Sequence, residues 1–154
     1  MTYRVIGLNP EPYKKLFGLS DAELAERGVV RMTVTSPTFP CRVSLTDRAI
    51  GESVLLLNHL SHDVANPYRA THAIFVTETE QSAAEYVDAV PPVFETRVLS
   101  LRGFDKDGMM AEAILTQPGE ADAGIRRLFA NPDIETIHAH NATRGCFSAR
   151  IERN

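Results

Sequence analysis

Residues 135–150 read ETIHAHNATRGCFSAR, with polar and apolar side chains alternating on either side of a turn-rich centre. Positions two apart on a strand share a face, so His138 lies with His140 and Cys146 with Ser148. A hairpin closed by residues 141–145 would set His140 opposite Cys146 and His138 opposite Ser148, placing all four on one side. Ile137, Ala139, Phe147, Ala149 and Ile151 then form an apolar side that packs on a core.

Working outward, a helix is expected over about 120–130, with Ala121, Ile125, Leu128 and Phe129 on one face. Arg126 and Arg127 fall toward its C-terminal half, where the dipole favours cations, and Asn131-Pro132 ends it. Before it, strands over 93–102 and 109–117 flank an Asp107-Gly108 turn. Residues 79–86 read as a short helix stopped before Pro91-Pro92. Residues 53–60 and 73–77 are apolar strands that pair antiparallel across a polar loop. Residues 29–35, with Val30, Met32 and Val34 on one face, and residues 41–45 are further strands around the stiff connector 36–40. Nearer the start lie a strand over 3–8 and a helical turn over 13–17. Ser20 and Glu23 form a capping box, Leu19 and Leu24 a hydrophobic staple, and Gly28 a C-terminal cap for the next helix. The sum is a single α+β domain over residues 1–154, mainly an antiparallel sheet with two principal covering helices and a C-terminal β-hairpin.

Composition narrows the function. Hydrophobic residues make up 44% and charged residues 23% of the chain, an ordinary globular balance. Sixteen basic against twenty acidic side chains leave a net charge of −4, which offers no general attraction to nucleic acid. No signal-peptide pattern and no run long enough to span a membrane is visible, so a cytoplasmic location without membrane contact is expected. Two cysteines, Cys41 and Cys146, are too few for a disulfide framework, and no CxxC, Walker loop, dinucleotide fingerprint or HExxH occurs. Homo-oligomerisation is left open.

Three chemistries compete for the polar side of the hairpin. Binding of a small polar or anionic metabolite leads, with Arg42, Asn58, Tyr68, Arg69, His72, Arg102, His138 and Asn141 as ligand-binding candidates, and Arg144 as a further guanidinium in a turn. Arginine forks recognise carboxylate or phosphate in two-point fashion, and loops at strand ends are where such groups gather. The alternative is a Cys146–His140 pair performing acyl or thiol transfer, since opposed hairpin positions place Cβ atoms about 4.5–5.5 Å apart. No cofactor is expected. A metal would need His138, His140 and a third ligand such as His59, His72 or Cys146. A structural or protein-interaction module is the remaining class.

Several segments also carry a resemblance. They are Leu8-Asn9-Pro10, the block 16–24 (LFGLSDAEL), FPCRVSL at 39–45, Pro67-Tyr68-Arg69-Ala70, Ile74-Phe75-Val76, Asp107-Gly108-Met109-Met110, and His138-Ala139-His140-Asn141 with Gly145-Cys146. Together they resemble DUF1203, a bacterial domain-of-unknown-function family of about this length. The resemblance covers nearly the whole chain. It implies one domain and supplies no activity, substrate, cofactor or catalytic residue to carry over.

Overall fold

A computed structural model describes residues 1–80 and 82–154. The fold is α+β and mostly antiparallel. A six-stranded sheet is ordered β7-β1-β11-β10-β8-β9, and a five-stranded sheet β2-β5-β6-β3-β4. The strands of the first are β1 (Tyr3–Ile6), β7 (Glu85–Val87), β8 (Leu99–Phe104), β9 (Met110–Thr116), β10 (Thr136–Asn141) and β11 (Phe147–Arg153). Those of the second are β2 (Val30–Thr33), β3 (Pro40–Cys41), β4 (Thr46–Asp47), β5 (Ser53–His62) and β6 (Ala70–Thr77). The β3–β6 contact is the parallel one.

Strand alternation gives the six-stranded sheet two unlike faces. One carries Leu99, Leu101, Ile137, Ala139, Ala149 and Ile151 and packs against α3 (Pro92–Glu95) and α4 (Ala121–Phe129) through Phe94, Ile125, Leu128 and Phe129. The expected apolar side of α4 is the buried one. Gly124 lets this helix sit close, since a Cβ there would lie 2.4 Å from Thr116 Cγ2 and 2.9 Å from Leu101 Cδ1. In the five-stranded sheet, Leu55, Leu57, Ile74 and Val76 pack under α1 (Glu11–Lys14) and α2 (Asp21–Ala25) with Tyr13, Leu16 and Leu24. The reciprocal Ser20–Glu23 capping box opens α2, and Gly28 follows it at φ +69.

Several local expectations are corrected. Among the described residues only α4 has the length of a principal helix, because α2 spans five residues. Residues 92–95 are helical rather than extended: proline at the first helical position brings the φ a helix needs and a missing N–H that is not required there. Of the helix expected over 79–86, position 81 lies outside the described residues, and Glu85–Val87 forms a strand on β1 instead. Beyond Cys41 the chain turns, with Leu45 N–H donating to Cys41 O and Leu45 at φ 56, so no strand runs to 45. On β2 the buried valines are Val29 and Val34, which flank the strand, whereas Val30 is 54% exposed on the sheet edge.

The closing hairpin departs from the expected register in a way that matters. His138 pairs with Arg150 rather than with Ser148, Ile137 with Ile151 and Ala139 with Ala149, and a bulge at Ser148 then sets His140 opposite Phe147 rather than Cys146. An extra residue on one strand re-aims the side chains beyond it. Phe147 therefore leaves the apolar side and joins the histidine side, with its ring 5.3 Å from His138 and 5.8 Å from His140.

Candidate functional site

The second face of the six-stranded sheet meets the five-stranded sheet along a seam that gathers all five histidines of the chain. His59 and His72 are cross-strand partners on β5 and β6, on the face that farther along carries Leu57 and Ile74. A register irregularity between Leu60 and His62 brings Ser61 and His62 to the same seam. From the other sheet come His138 and His140. The rings of His62 and His138 stand 5.0 Å apart edge to face, and those of His72 and His140 4.8 Å apart. Phe104 fills the space beside His62 and His138 at 4.1 and 4.9 Å, and Phe147 closes the other flank against His59.

Burial controls the charge of these rings. The pKa of His138 is pushed down to about 3, first by burial and then by His62, His140 and nearby guanidinium groups. That of His140 falls to about 4, again mainly through burial, although its hydrogen bond to Gly145 O works the other way. Burial also lowers His59 and His72, with Arg102 adding to the effect on His72. At neutral pH His138 and His140 are uncharged.

Two hollows open on this seam. The smaller, about 210 Å³, is lined by His62, His72, His138 and His140 together with Arg102, Phe104, Ser61 and Tyr68. A broader trough of about 890 Å³ shares Ser61, His62 and His138 with it and reaches Glu135, Arg150 and Glu152. Arg102 is the cross-strand partner of His138. Its situation is unusual among the half-buried and buried arginines. Arg4, Arg31, Arg48 and Arg97 each hold a carboxylate. Arg153 donates to main-chain carbonyls. Among the described residues Arg102 meets only Ser100 Oγ, at 3.3 Å, and no carboxylate.

The expected site residues separate on this frame. Tyr68, Arg69, His72, Arg102, His138 and His140 line the smaller hollow. Arg69 there is paired with Asp63 and largely exposed. Arg42 lines neither hollow. It is 3% exposed and donates to Phe147 O at 2.8 Å and Pro40 O at 2.7 Å, tying the segment after β3 to β11. Burial lowers its pKa to about 10, still far above neutrality, so the guanidinium remains charged. Asn58 is exposed and one residue out of phase with His59, on the far face of β5. Asn141 closes the hairpin turn, with its N–H donating to Cys146 O, and its side-chain Oδ1 is buried without a partner among the described residues. Cys146 is half-buried and lines neither hollow, and the cross-strand partner of His140 is Phe147. No hydrogen bond joins the thiol to His140 among the described residues, because the Nδ1 of that ring is directed to Gly145 O. Arg144 lies exposed in the turn. Among the described residues no group of three or more His, Cys, Asp and Glu side chains is placed to hold a metal ion.

A family model described as "Protein of unknown function (DUF1203)" matches residues 38–153. The chain belongs to this family. The DUF1203 match begins in the connector before β3 and contains every residue of both seam walls apart from Leu8 at the edge of the trough. No curated protein and no solved structure matches the chain significantly. No helix is long and apolar enough to cross a membrane among the described residues.

Sequence reasoning did not single out Ser61, His62 or Phe104 as site residues. His62 falls where a loop is expected from the sequence, but the segment is the end of a ten-residue strand. The available signal was the strand phase of Leu55, Leu57 and His59, which continues to Ser61, together with the grouping of all histidines at two places in the chain, whereas His62 reaches the seam only through the register irregularity.

Proposed function

We propose that this DUF1203 protein binds a small anionic metabolite in the hollow between β5–β6 and β8–β10, with Arg102 as the anion-holding group. The observation that carries this reading is an arginine that is half-buried, lacks a carboxylate, and stands beside imidazoles. A buried charge without a counter-ion is costly, and burial lowers the Arg102 pKa accordingly. A carboxylate or phosphate from solution would relieve that cost and be held at two points by the guanidinium fork. His138 adds support. It is 3% exposed, and neither ring nitrogen meets a hydrogen-bond partner among the described residues, so its polar atoms are free for a ligand. Phe104 and Tyr68 supply the apolar wall that small-molecule pockets use around a few polar contacts.

The test is calorimetric titration of acetate, propionate, lactate, succinate, tartrate and inorganic phosphate into the protein and into Arg102→Gln. Saturable binding of at least one anion, weakened tenfold or more by the substitution, is the expected result. Absence of saturable binding by all six, or affinities that the substitution leaves unchanged, overturns the reading.

A further inference from the structure

The hydrogen bonds around the hollow fix which ring nitrogens carry protons. A main-chain carbonyl can only accept, so the 3.0 Å contact of His140 Nδ1 with Gly145 O places a proton on Nδ1. Ser61 has one hydroxyl proton and donates it to Ala70 O at 3.0 Å. Its contact with His72 Nδ1 at 2.6 Å must therefore run from the ring, so His72 also carries its proton on Nδ1. In a neutral imidazole the other nitrogen is then a bare acceptor. Each Nε2 lacks a hydrogen-bond partner among the described residues, and neither is sealed from solvent. Two adjacent rings thus present two lone pairs beside one guanidinium.

This arrangement discriminates among anions. An oxyanion oxygen is attracted by Arg102 and repelled by a bare Nε2, so an anion made only of acceptors satisfies one part of the hollow and offends the other. From this we infer that the ligand is a hydroxylated or N–H-bearing acid, whose anionic group meets Arg102 while its adjacent donors reach Nε2 of His72 and of His140. The inference rests on the anion-binding reading and names the chemical class of its ligand. Ser61 is a positioning residue here. Its hydroxyl proton is committed to Ala70 O, and it sets the His72 tautomer. The 210 Å³ volume suits an acid of a few carbons, and longer ligands would extend into the trough through the His62–His138 boundary.

Two measurements test this. In matched titrations, lactate should bind about tenfold tighter than propionate and tartrate more than tenfold tighter than succinate, the worth of one and of two net hydrogen bonds. His72→Phe should erase most of that advantage, bringing lactate close to propionate and tartrate close to succinate. Nitrogen-15 spectra of the wild-type imidazoles at pH 7.5 should show the Nδ1–H tautomer for both His72 and His140, and Ser61→Ala should move His72 toward a tautomer mixture. Equal affinities within each pair, still dependent on Arg102, would overturn the donor inference and leave the anion reading standing. Failure of all acids to bind would remove the anion reading itself. An Nε2–H signal for either ring overturns the inference without any variant, so a His72→Phe protein that does not fold would leave the outcome decidable.

Discussion

The two faces of the six-stranded sheet are built from the same strands and could hardly differ more. Under α4, Ile137, Ala139, Ala149 and Ile151 are buried in an apolar cluster with Leu101, Ile125 and Leu128. One residue along in each strand, His138, His140 and Arg102 look into hollows with hydrogen-bonding capacity the chain itself does not use. Stability is concentrated on the first face, and recognition is available on the second because its polar groups are left short of partners. This predicts opposite responses to neighbouring substitutions. Ile137→Ala should lower unfolding free energy by about 2–5 kcal/mol, the usual range for emptying a fully buried aliphatic site. His138→Leu should change it by less than about 1 kcal/mol or raise it, since a buried imidazole with no protein partner gives way to an apolar group. Urea denaturation of both variants checks the contrast, and a larger loss for His138→Leu than for Ile137→Ala would break it.

The next effect separates the faces by pH. An unfolded histidine takes up a proton near 6.5, whereas His140 and His138 in the folded chain resist until about 4 and about 3. Above pH 6.5 both states are neutral, and the rings contribute no pH dependence. As pH falls below 6.5 the unfolded chain binds more protons than the folded one, so stability drops, by up to about 1.4 kcal/mol per pH unit for each ring. The carboxylates held low by their partners, such as Glu78 with Arg31 and Asp122 with Arg126, add their losses only nearer and below the ordinary carboxylate range. The window from pH 6.5 to 4.5 therefore belongs mainly to the seam. Denaturation midpoints across it should fall steadily in the wild type and less steeply in His138→Phe, where His140, His59 and His72 still contribute. A flat profile would mean that the rings are far better solvated than their burial implies.

The dry face was legible in the sequence because period-two alternation needs only strand phase, and Ile137, Ala139, Ala149 and Ile151 keep that phase on both arms of the hairpin. Register across the turn is a different quantity. It depends on how Asn141 and Gly145 close, with Gly145 N–H donating to Asn141 O at 2.7 Å, and on a bulge that no residue type announces. The extra residue, Ser148, moved Phe147 among the histidines, whereas Cys146 was already displaced from opposite His140 because the outer register pairs His138 with Arg150 rather than with Ser148. The gathering of β5, β6 and β10 was beyond sequence for another reason, since strands from separate sheets meet there and no local pattern encodes which faces abut. Arg42 shows the same limit: a guanidinium at a strand end suits an anion or a pair of carbonyls equally well, and the fold determines which.

Two arginines at the same hollow sharpen the comparison at its smallest scale. Arg69 and Arg102 both line it, yet Arg69 is more than half exposed and paired with Asp63, whereas Arg102 is half-buried and lacks a carboxylate. An exposed ion pair loses in solvation and side-chain entropy nearly all that it gains in attraction. Arg69→Gln should therefore alter unfolding free energy by no more than about 0.5 kcal/mol. It should also weaken anion binding less than threefold, because the Asp63 carboxylate already occupies the fork and water screens what remains. If Arg69→Gln instead matched the loss from Arg102→Gln, Asp63 would have to release its partner on ligand entry, and the anion would be held by a pair of arginines rather than by the one without a counter-ion.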